Sequence, residues 1–289
     1  MARRGHGGLI RVVSHDAPGY PEALRDLSRP PDPLYVLGSL EMLAPPAVAI
    51  VGTRDATPYG ERIARELADA FARAGACVVS GLARGIDAVA HRAALAAGGR
   101  TAAVLGTGVD VPYPVGHRDL HAQIVERGVV VSESAPGERA GAGCFPRRNR
   151  ILAALAQLTI VVEAGHKSGA LNTAKHAETL ERPVACVPGP IDSPQSDGTN
   201  WLISQTALII TTIDDALALM KLSRPARSSD PSFGPAEHLV LAELRRSPAD
   251  LDSLAARTRL PARECLRAVT TLELAGAIEC ALTGEIRRR

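Results

Sequence analysis

Residues 48–81 read VAIVGTRDATPYGERIARELADAFARAGACVVSG, the pattern of a strand, a helix and a second strand. The runs VAIVG and CVVSG at its two ends are continuously apolar, which is typical of strands buried on both faces. Between them the apolar residues Ile63, Leu67, Phe71 and Ala74 recur at helical spacing and form one stripe. This stretch therefore predicts a parallel sheet that is covered by helices.

The same rhythm continues to about residue 211. Further apolar runs are TAAVLG (101–106), VVVSE (129–133), TIVVEA (159–164), PVACVPG (183–189) and ALIIT (207–211). Segments of helical character separate most of these runs. Strands that alternate with helices predict a doubly wound α/β domain with a mostly parallel sheet, over residues 46–222.

Shorter segments flank this domain. Residues 1–45 are Pro-rich and predict a small N-terminal cap with a short helix around Pro21 to Leu27. Residues 223–235, SRPARSSDPSFGP, have the composition of a linker. Residues 236–289 predict a small winged-helix domain.

That last prediction depends on three helical patterns followed by a hairpin. The helical patterns are EHLVLAELRR, LDSLAARTR and ARECLRAVTTLELAGA. The hairpin consists of IECALT and GEIRRR, with Thr283-Gly284 expected at its turn.

Composition excludes several classes of protein. The chain has 33 Lys and Arg against 31 Asp and Glu, so any basic surface must be local. Its five Cys residues form no CxxC pair, which argues against a zinc site or a disulfide framework. This cysteine usage fits a reducing cytoplasm. Because no run of about 18 uncharged apolar residues occurs, we expect no membrane span. We expect no metal and no cofactor.

The predicted carboxyl ends of the strands are rich in glycine and basic residues. Arg54, Arg84 and Lys167 each stand in such a loop, and ligands of open parallel sheets bind at this edge. Glycine lets backbone N–H groups approach an anion closely, although it often serves only a tight turn. A phosphate-rich ligand is the natural candidate.

The densest basic cluster is Phe145-Pro146-Arg147-Arg148-Asn149-Arg150, at the predicted start of a helix. Cations there oppose the helix dipole unless an anion or carboxylates lie nearby. Two interpretations remain open, contact with phosphate and salt bridges to Glu133 or Glu163.

Nucleotide-binding fingerprints are absent from the sequence, which lacks GxxxxGK[ST] and has Val111 in place of the third Gly of GxGxxG. Asp87 and His91 are spaced i, i+4 on one predicted helix, and Glu163 ends a predicted strand. A Rossmann-like nucleotide or nucleoside-phosphate hydrolase that uses Glu163 or Asp87 is therefore an alternative, although the region PGPIDSPQSDG lacks the PGGxGTxxE pattern of such hydrolases.

Seven ordered motifs resemble the DNA-processing protein A family, also called DprA or Smf. They are IVGTRDATPYG (50–60), SGLARGIDAVAH (80–91), GGRTAAVLGTGVDVPYP (98–114), SESAPG (132–137), FPRRNRILAALA (145–156), VVEAGHKSGALNTAKHA (161–177) and VPGPIDSPQSDGTNWLI (187–203).

This resemblance implies an extended Rossmann-like fold that binds single-stranded DNA, protects incoming DNA and loads the RecA recombinase during natural transformation or DNA processing. It also implies a homodimer through that domain, a winged-helix tail and no enzymatic activity. The residues that it assigns to DNA binding are Gly52, Thr53, Arg54, Ser80, Gly81, Arg84, Gly85, Phe145, Arg147, Asn149, Arg150, Lys167, Ser168 and Gly169. With eight aromatic residues in the chain, Phe145 is the best candidate for base stacking, assisted by Tyr59 or Tyr113.

Overall fold

The computed structural model describes residues 3–5, 8–224, 233–281 and 284–288, and the chain divides into two compact units, residues 1–225 and 226–289. Within the described part of the first unit, ten strands form one sheet. They are β1 (Arg3–Gly5), β2 (Gly8–Val13), β3 (Leu34–Gly38), β4 (Ala47–Val51), β5 (Cys77–Ser80), β6 (Thr101–Leu105), β7 (Val129–Ser132), β8 (Leu158–Val161), β9 (Val184–Cys186) and β10 (Leu208–Ile209).

The helices of this unit connect and cover the strands. They are α1 (Pro58–Arg73), α2 (Ile86–Ala96), α3 (Arg118–Arg127), α4 (Cys144–Leu155), α5 (Gly169–Thr179), α6 (Asp197–Gln205) and α7 (Ile213–Ala218).

The strand order is β1-β2-β3-β7-β6-β5-β4-β8-β9-β10. From β7 to β10 all neighbours are parallel, whereas β3 pairs antiparallel with β7 and β2 antiparallel with β3. The predicted doubly wound and mostly parallel sheet is therefore confirmed.

Helices on both faces explain why the strands are continuously apolar. Successive residues of a strand point to opposite faces, so Val48 and Ile50 pack in the core that contains Phe71 of α1. Val51 points the other way and packs in the core that contains Leu152 of α4. Each such side chain contributes about 1.5–3 kcal/mol when it is fully buried.

The segment before residue 46, expected as a cap, supplies strands to the main sheet. In β3, Leu34, Val36 and Leu37 are buried, and Leu24 of a short 3₁₀ helix (Glu22–Leu24) packs in the same core as α4. The sequence signal was weak because these elements are short and lie between prolines. The place of β3 is determined by its pairing with β7 on one side and β2 on the other.

The second unit contains a small helical core with a hairpin, as a winged-helix domain requires. Its described elements are α8 (Pro235–Leu244), α9 (Leu251–Thr258), α10 (Ala262–Leu274), β11 (Ile278–Cys280) and β12 (Ile286–Arg288). The two strands pair antiparallel, and Val240, Leu254 and Leu272 are fully buried. Thr283 of the expected turn and residues 225–232 of the expected linker lie outside the described residues.

Among the described residues, no helix is long and apolar enough to cross a bilayer. The order of the strands places β5 on one side of β4 and β8 on the other. Successive strands are therefore added on one side from β4 to β7 and on the other side from β8 to β10, and a crevice opens beside β4 beyond the carboxyl ends of the strands.

Candidate functional site

The crevice beside β4 holds a cavity of about 580 Å³, which we call the switch-point cavity. Its walls are the loop after β4, the first turns of α4 and the segment where α5 begins. The residues assigned from the sequence that line it are Gly52, Thr53, Arg54, Phe145, Asn149, Lys167, Ser168 and Gly169. The assigned residues that do not line it are Ser80, Gly81, Arg84, Gly85, Arg147 and Arg150.

Glu163 holds the loop after β4 and the start of α1. Its backbone oxygen accepts from the amide of Thr53 at 2.7 Å. Its carboxylate, 4% exposed, accepts from the amide of Thr57 at 2.9 Å and also from the Thr57 hydroxyl. Because Thr57 is the N-cap of α1, this carboxylate stabilises the start of the helix.

Two glycines let the loops after β4 and β5 pack closely. A Cβ at Gly52 would lie 2.5 Å from Cγ1 of Ile86, and one at Gly85 would lie 2.3 Å from the backbone oxygen of Thr53. Gly85 also has a φ of +72°, which favours glycine. Their role in the structure is therefore close packing of these loops.

Arg148 is buried beneath the cavity, with 4% of its surface exposed. Its guanidinium donates to the backbone oxygens of Gly81, at 2.8 Å, and Val104. Burial lowers the pKa of Arg148 to about 10. A Cβ at Gly81 would lie 2.4 Å from the guanidinium, so a larger residue at this position would displace Arg148.

Asp87 and His91 do not form a catalytic pair. The carboxylate of Asp87 accepts from the amide of Gly81 at 3.1 Å, and burial raises its pKa. His91 Nδ1 lies 2.8 Å from the hydroxyl of Thr101, and burial lowers the pKa of His91 to about 3. Because His91 is fully buried, its ring cannot reach a substrate in the cavity.

Glu133 forms ion pairs with both Arg147 and Arg150. Arg147 Nε lies 3.1 Å from one carboxylate oxygen, and the Arg150 guanidinium contacts the other. Arg150 also donates to the backbone oxygen of Arg29 at 2.7 Å. The structure thus contains the salt bridges that the sequence left as one of two interpretations, while Arg147 keeps 54% of its side chain exposed.

Arg54, Phe145 and Tyr113 form a stack at the edge of the cavity. The guanidinium carbon of Arg54 lies 5.3 Å from the ring centroid of Phe145. The rings of Phe145 and Tyr113 are 5.1 Å apart, centroid to centroid, with an interplanar angle of 33°. The cation and the two rings therefore lie together where a ligand in the cavity could contact them.

The wall on the side of α5 is polar. Asn149 joins α4 to α5, because its side-chain nitrogen donates to the backbone oxygen of Gly169 at 3.1 Å and to Asn172 at 3.2 Å. Ser168 caps α5, and its hydroxyl accepts from the amide of Ala170. Lys167 is exposed beside them.

Two assigned residues of the β5 loop differ in accessibility. Ser80 is fully buried, and its hydroxyl donates to the backbone oxygen of Ile50 at 2.7 Å, so it supports the sheet. Arg84 is exposed, and it forms no ion pair with the part of the chain that the structure describes.

Sequence reasoning missed Arg148 as an anchor and did not single out Asn172, which also lines the cavity. A signal for Arg148 was present in the helical spacing. Arg148 precedes the buried Ile151, Leu152 and Leu155 by three, four and seven positions, which places it on the apolar face of α4.

No group of His, Cys, Asp and Glu in the described ranges could hold a metal ion. The site therefore offers cations, an aromatic stack and backbone amides. These groups bind anions and flat rings, and the two candidate bases, Glu163 and Asp87, are occupied by structural hydrogen bonds.

Comparison with known proteins finds family models that match both units of the chain. A family model described as DNA recombination-mediator protein A matches residues 11–221, and one described as DprA winged helix domain matches residues 224–281.

Two curated relatives illustrate the extent of the match. Protein Smf of Escherichia coli is 36% identical over 289 residues, which cover 96% of this chain and 77% of that protein. A DNA processing protein DprA of Mycobacterium tuberculosis is 42% identical over 258 residues, or 86% of this chain, and the match spans 66% of that relative's length.

Two solved structures share the fold. DNA processing protein A of Streptococcus pneumoniae has a TM-score of 0.70 and 37% identity, with 75% of each chain covered. The protein from Helicobacter pylori, whose structure concerns its single-stranded DNA binding mode, has a TM-score of 0.68 and 31% identity, covering 74% of this chain and 96% of that one.

Arg148→Ala should destabilise the first unit by about 3 kcal/mol or more, because it leaves buried carbonyl oxygens without a donor. Arg147→Ala, at the adjacent exposed residue, should lower the free energy of unfolding by about 1 kcal/mol or less. Urea unfolding followed by circular dichroism measures both. Equal losses in the two variants would contradict the anchoring role.

Proposed function

The chain belongs to the DNA recombination-mediator protein A family, and we propose that it binds single-stranded DNA in the switch-point cavity. The observation that carries this proposal is the stack of Arg54 on Phe145 at the cavity edge, with 5.3 Å between guanidinium carbon and ring centroid. The single-stranded DNA binding mode of the Helicobacter pylori relative supports the same class of ligand here.

The polar wall of the cavity suits the phosphates of single-stranded DNA. Arg54 and Lys167 are exposed at the rim, and α5 begins at Gly169 on the wall itself. The N-terminus of a helix presents amide groups and a partial positive charge to an anion. Arg148, buried beneath the cavity, adds a positive charge at a fixed position.

The aromatic stack suits the bases of single-stranded DNA. Phe145 and Tyr113 lie side by side, and Tyr113 is 40% exposed. Aromatic side chains stack on unpaired bases, which a duplex keeps inside its own stack. Stacking needs no particular base, so we expect little sequence preference.

We propose that the protein acts on DNA by binding and without chemistry of its own. The carboxylates of Glu163 and Asp87, which a hydrolase would need, accept hydrogen bonds from the backbone of neighbouring loops. This supports a binding site over the alternative of a nucleotide hydrolase.

Family membership supports a further role in protecting incoming single strands and in loading RecA onto them, in the cytoplasm, during natural transformation or DNA processing. The test is RecA filament assembly on a single strand, with and without the protein. No stimulation of assembly would contradict this part of the proposal.

We propose that a second copy of the chain docks on the edge of the sheet at β10. Leu208 and Ile209 are 43% and 51% exposed there, and Trp201 of α6 is 49% exposed. β10 is the terminal strand of the sheet, so one row of its backbone groups has no neighbouring strand among the described residues. An apolar strand edge of this kind suits pairing with another copy.

Arg54→Ala and Phe145→Ala should each weaken binding of single-stranded DNA by about tenfold or more, since stacking on an aromatic residue contributes about 1–3 kcal/mol per base. Fluorescence anisotropy with a labelled oligothymidylate, at several salt concentrations, measures the affinity. Affinity of the unmodified protein should fall steeply as salt rises.

The control for these variants is Arg245→Ala, which removes an exposed arginine of the second unit. It should leave the affinity almost unchanged. If Arg245→Ala costs as much as Arg54→Ala, the binding site lies elsewhere.

Glu133→Gln should raise the affinity for single-stranded DNA a few-fold. The carboxylate of Glu133 pairs with Arg147 and Arg150 and so competes with a phosphate for them. Glu126→Gln, on an exposed residue of α3, removes one charge elsewhere and is the matched control. An unchanged or lower affinity of Glu133→Gln, relative to that control, would mean that these arginines do not contact phosphate.

Ile209→Glu should convert the dimer into a monomer, because it puts a charge into the docking edge. Leu9→Glu, on β2 near the opposite edge, is the control, since Leu9 is 56% exposed. Sedimentation equilibrium gives the mass of each variant. A dimer that persists in Ile209→Glu would move the interface to another face.

A further inference from the structure

A second groove lies next to the switch-point cavity. It has a volume of about 1020 Å³ and is formed by the loop between β6 and α3, the start of α3 and the loop after β7. We call it the side groove. Of the residues that the sequence analysis connected with DNA, only Tyr113, named as an assistant in base stacking, lines it.

The two sites are continuous through one aromatic pair. Tyr113 lines the side groove and Phe145 lines the switch-point cavity, with 5.1 Å between their ring centroids. A chain of stacked bases that covers Phe145 therefore meets Tyr113 next. The path of such a strand leads from the cavity into the groove.

The surface of the side groove is partly apolar and exposed. Val115, beside Tyr113, is 65% exposed, and Val111 and Ala122 also line the groove. An exposed valine next to an exposed tyrosine is a surface on which flat rings can lie.

The charges of the groove favour an anion on its outer sides. Arg118 and Arg139 are exposed, and within residues 8–224 neither forms an ion pair. Of the two acids in the lining, Asp110 accepts from the amide of Gly137 at 2.8 Å, which satisfies its carboxylate within the loop. Asp119 is in the first turn of α3, where its charge interacts favourably with the helix dipole.

We propose that the side groove holds the next nucleotides of the same single strand, with bases against Tyr113 and Val115 and phosphates at Arg118 and Arg139. This inference rests on the proposed function of the switch-point cavity and extends the length of DNA that one subunit covers. It accounts for two exposed arginines, without an ion pair in the described residues of the first unit, beside a partly apolar groove that adjoins the aromatic stack.

The test compares oligothymidylates of about 4 and about 12 nucleotides, which span the range of site sizes for single-stranded binding. For the unmodified protein we expect affinity to rise with length. The double variant Arg118→Ala with Arg139→Ala should bind the short oligonucleotide with unchanged affinity. Its affinity for the long oligonucleotide should fall about fivefold or more. Both side chains are exposed, so the variant should keep its circular dichroism spectrum.

The matched control is Arg65→Ala with Arg127→Ala, which removes two exposed arginines from α1 and α3. It should keep the gain of affinity with length, including any gain from two subunits that share one strand. If the side-groove variant also keeps that gain, or loses affinity for both oligonucleotides equally, the inference is overturned.

These outcomes separate the two proposals. Failure of the unmodified protein to bind either oligonucleotide would overturn the proposed function together with the inference. Binding of the short oligonucleotide without any gain on lengthening would overturn the inference alone. A groove that instead holds a protein segment would leave all oligonucleotide affinities of the side-groove variant unchanged.

Discussion

The buried guanidinium of Arg148 is the constraint on which the cavity depends. It joins α4 to the carboxyl ends of two strands, because it donates to the backbone oxygens of Gly81 and Val104. Burial of a charge is costly, and here its hydrogen-bond partners are carbonyl groups. The floor of the cavity therefore holds the guanidinium of Arg148 at a fixed position, with the buried carboxyl group of Asp87 in the same lining.

A single carboxylate determines how the remaining basic residues are distributed. Glu133 pairs with Arg147 and Arg150 on one side of α4, whereas Arg54 stands apart, stacked on Phe145. Arg54 and Lys167 are exposed cations at the edge formed by the carboxyl ends of the strands. The same edge carries the aromatic rings, so phosphate and base contacts can be made by neighbouring side chains. This combination suits a flexible single strand better than a rigid duplex.

Much of the fold could be predicted from the sequence, since each parallel strand is an apolar run buried on both faces. The position of β3 could not, because its place depends on pairing with β7, far along the chain. Within the site, the loops that hold Arg54 and Lys167 were predicted correctly to line one crevice, as the carboxyl ends of parallel strands meet there. The assignment of Gly85 to the ligand stays a prediction, and its close packing against Thr53 could not be seen from the sequence.

By itself, the sequence determined the alternation of strands and helices from residue 48 onward, the second small domain and the basic, glycine-rich carboxyl ends of the strands. Periodicity and turn residues act locally, so they can be read along the chain. Helical spacing places Arg148 on the apolar face of α4, but only the tertiary structure decided what that face packs against and which arginines line the cavity. In α4, Arg147 and Arg148 are adjacent in sequence, yet one is exposed and the other is buried beneath the site. That difference arises from the rotation of the helix against the sheet and from the position of Glu133 in another loop, and both depend on contacts between segments distant in sequence.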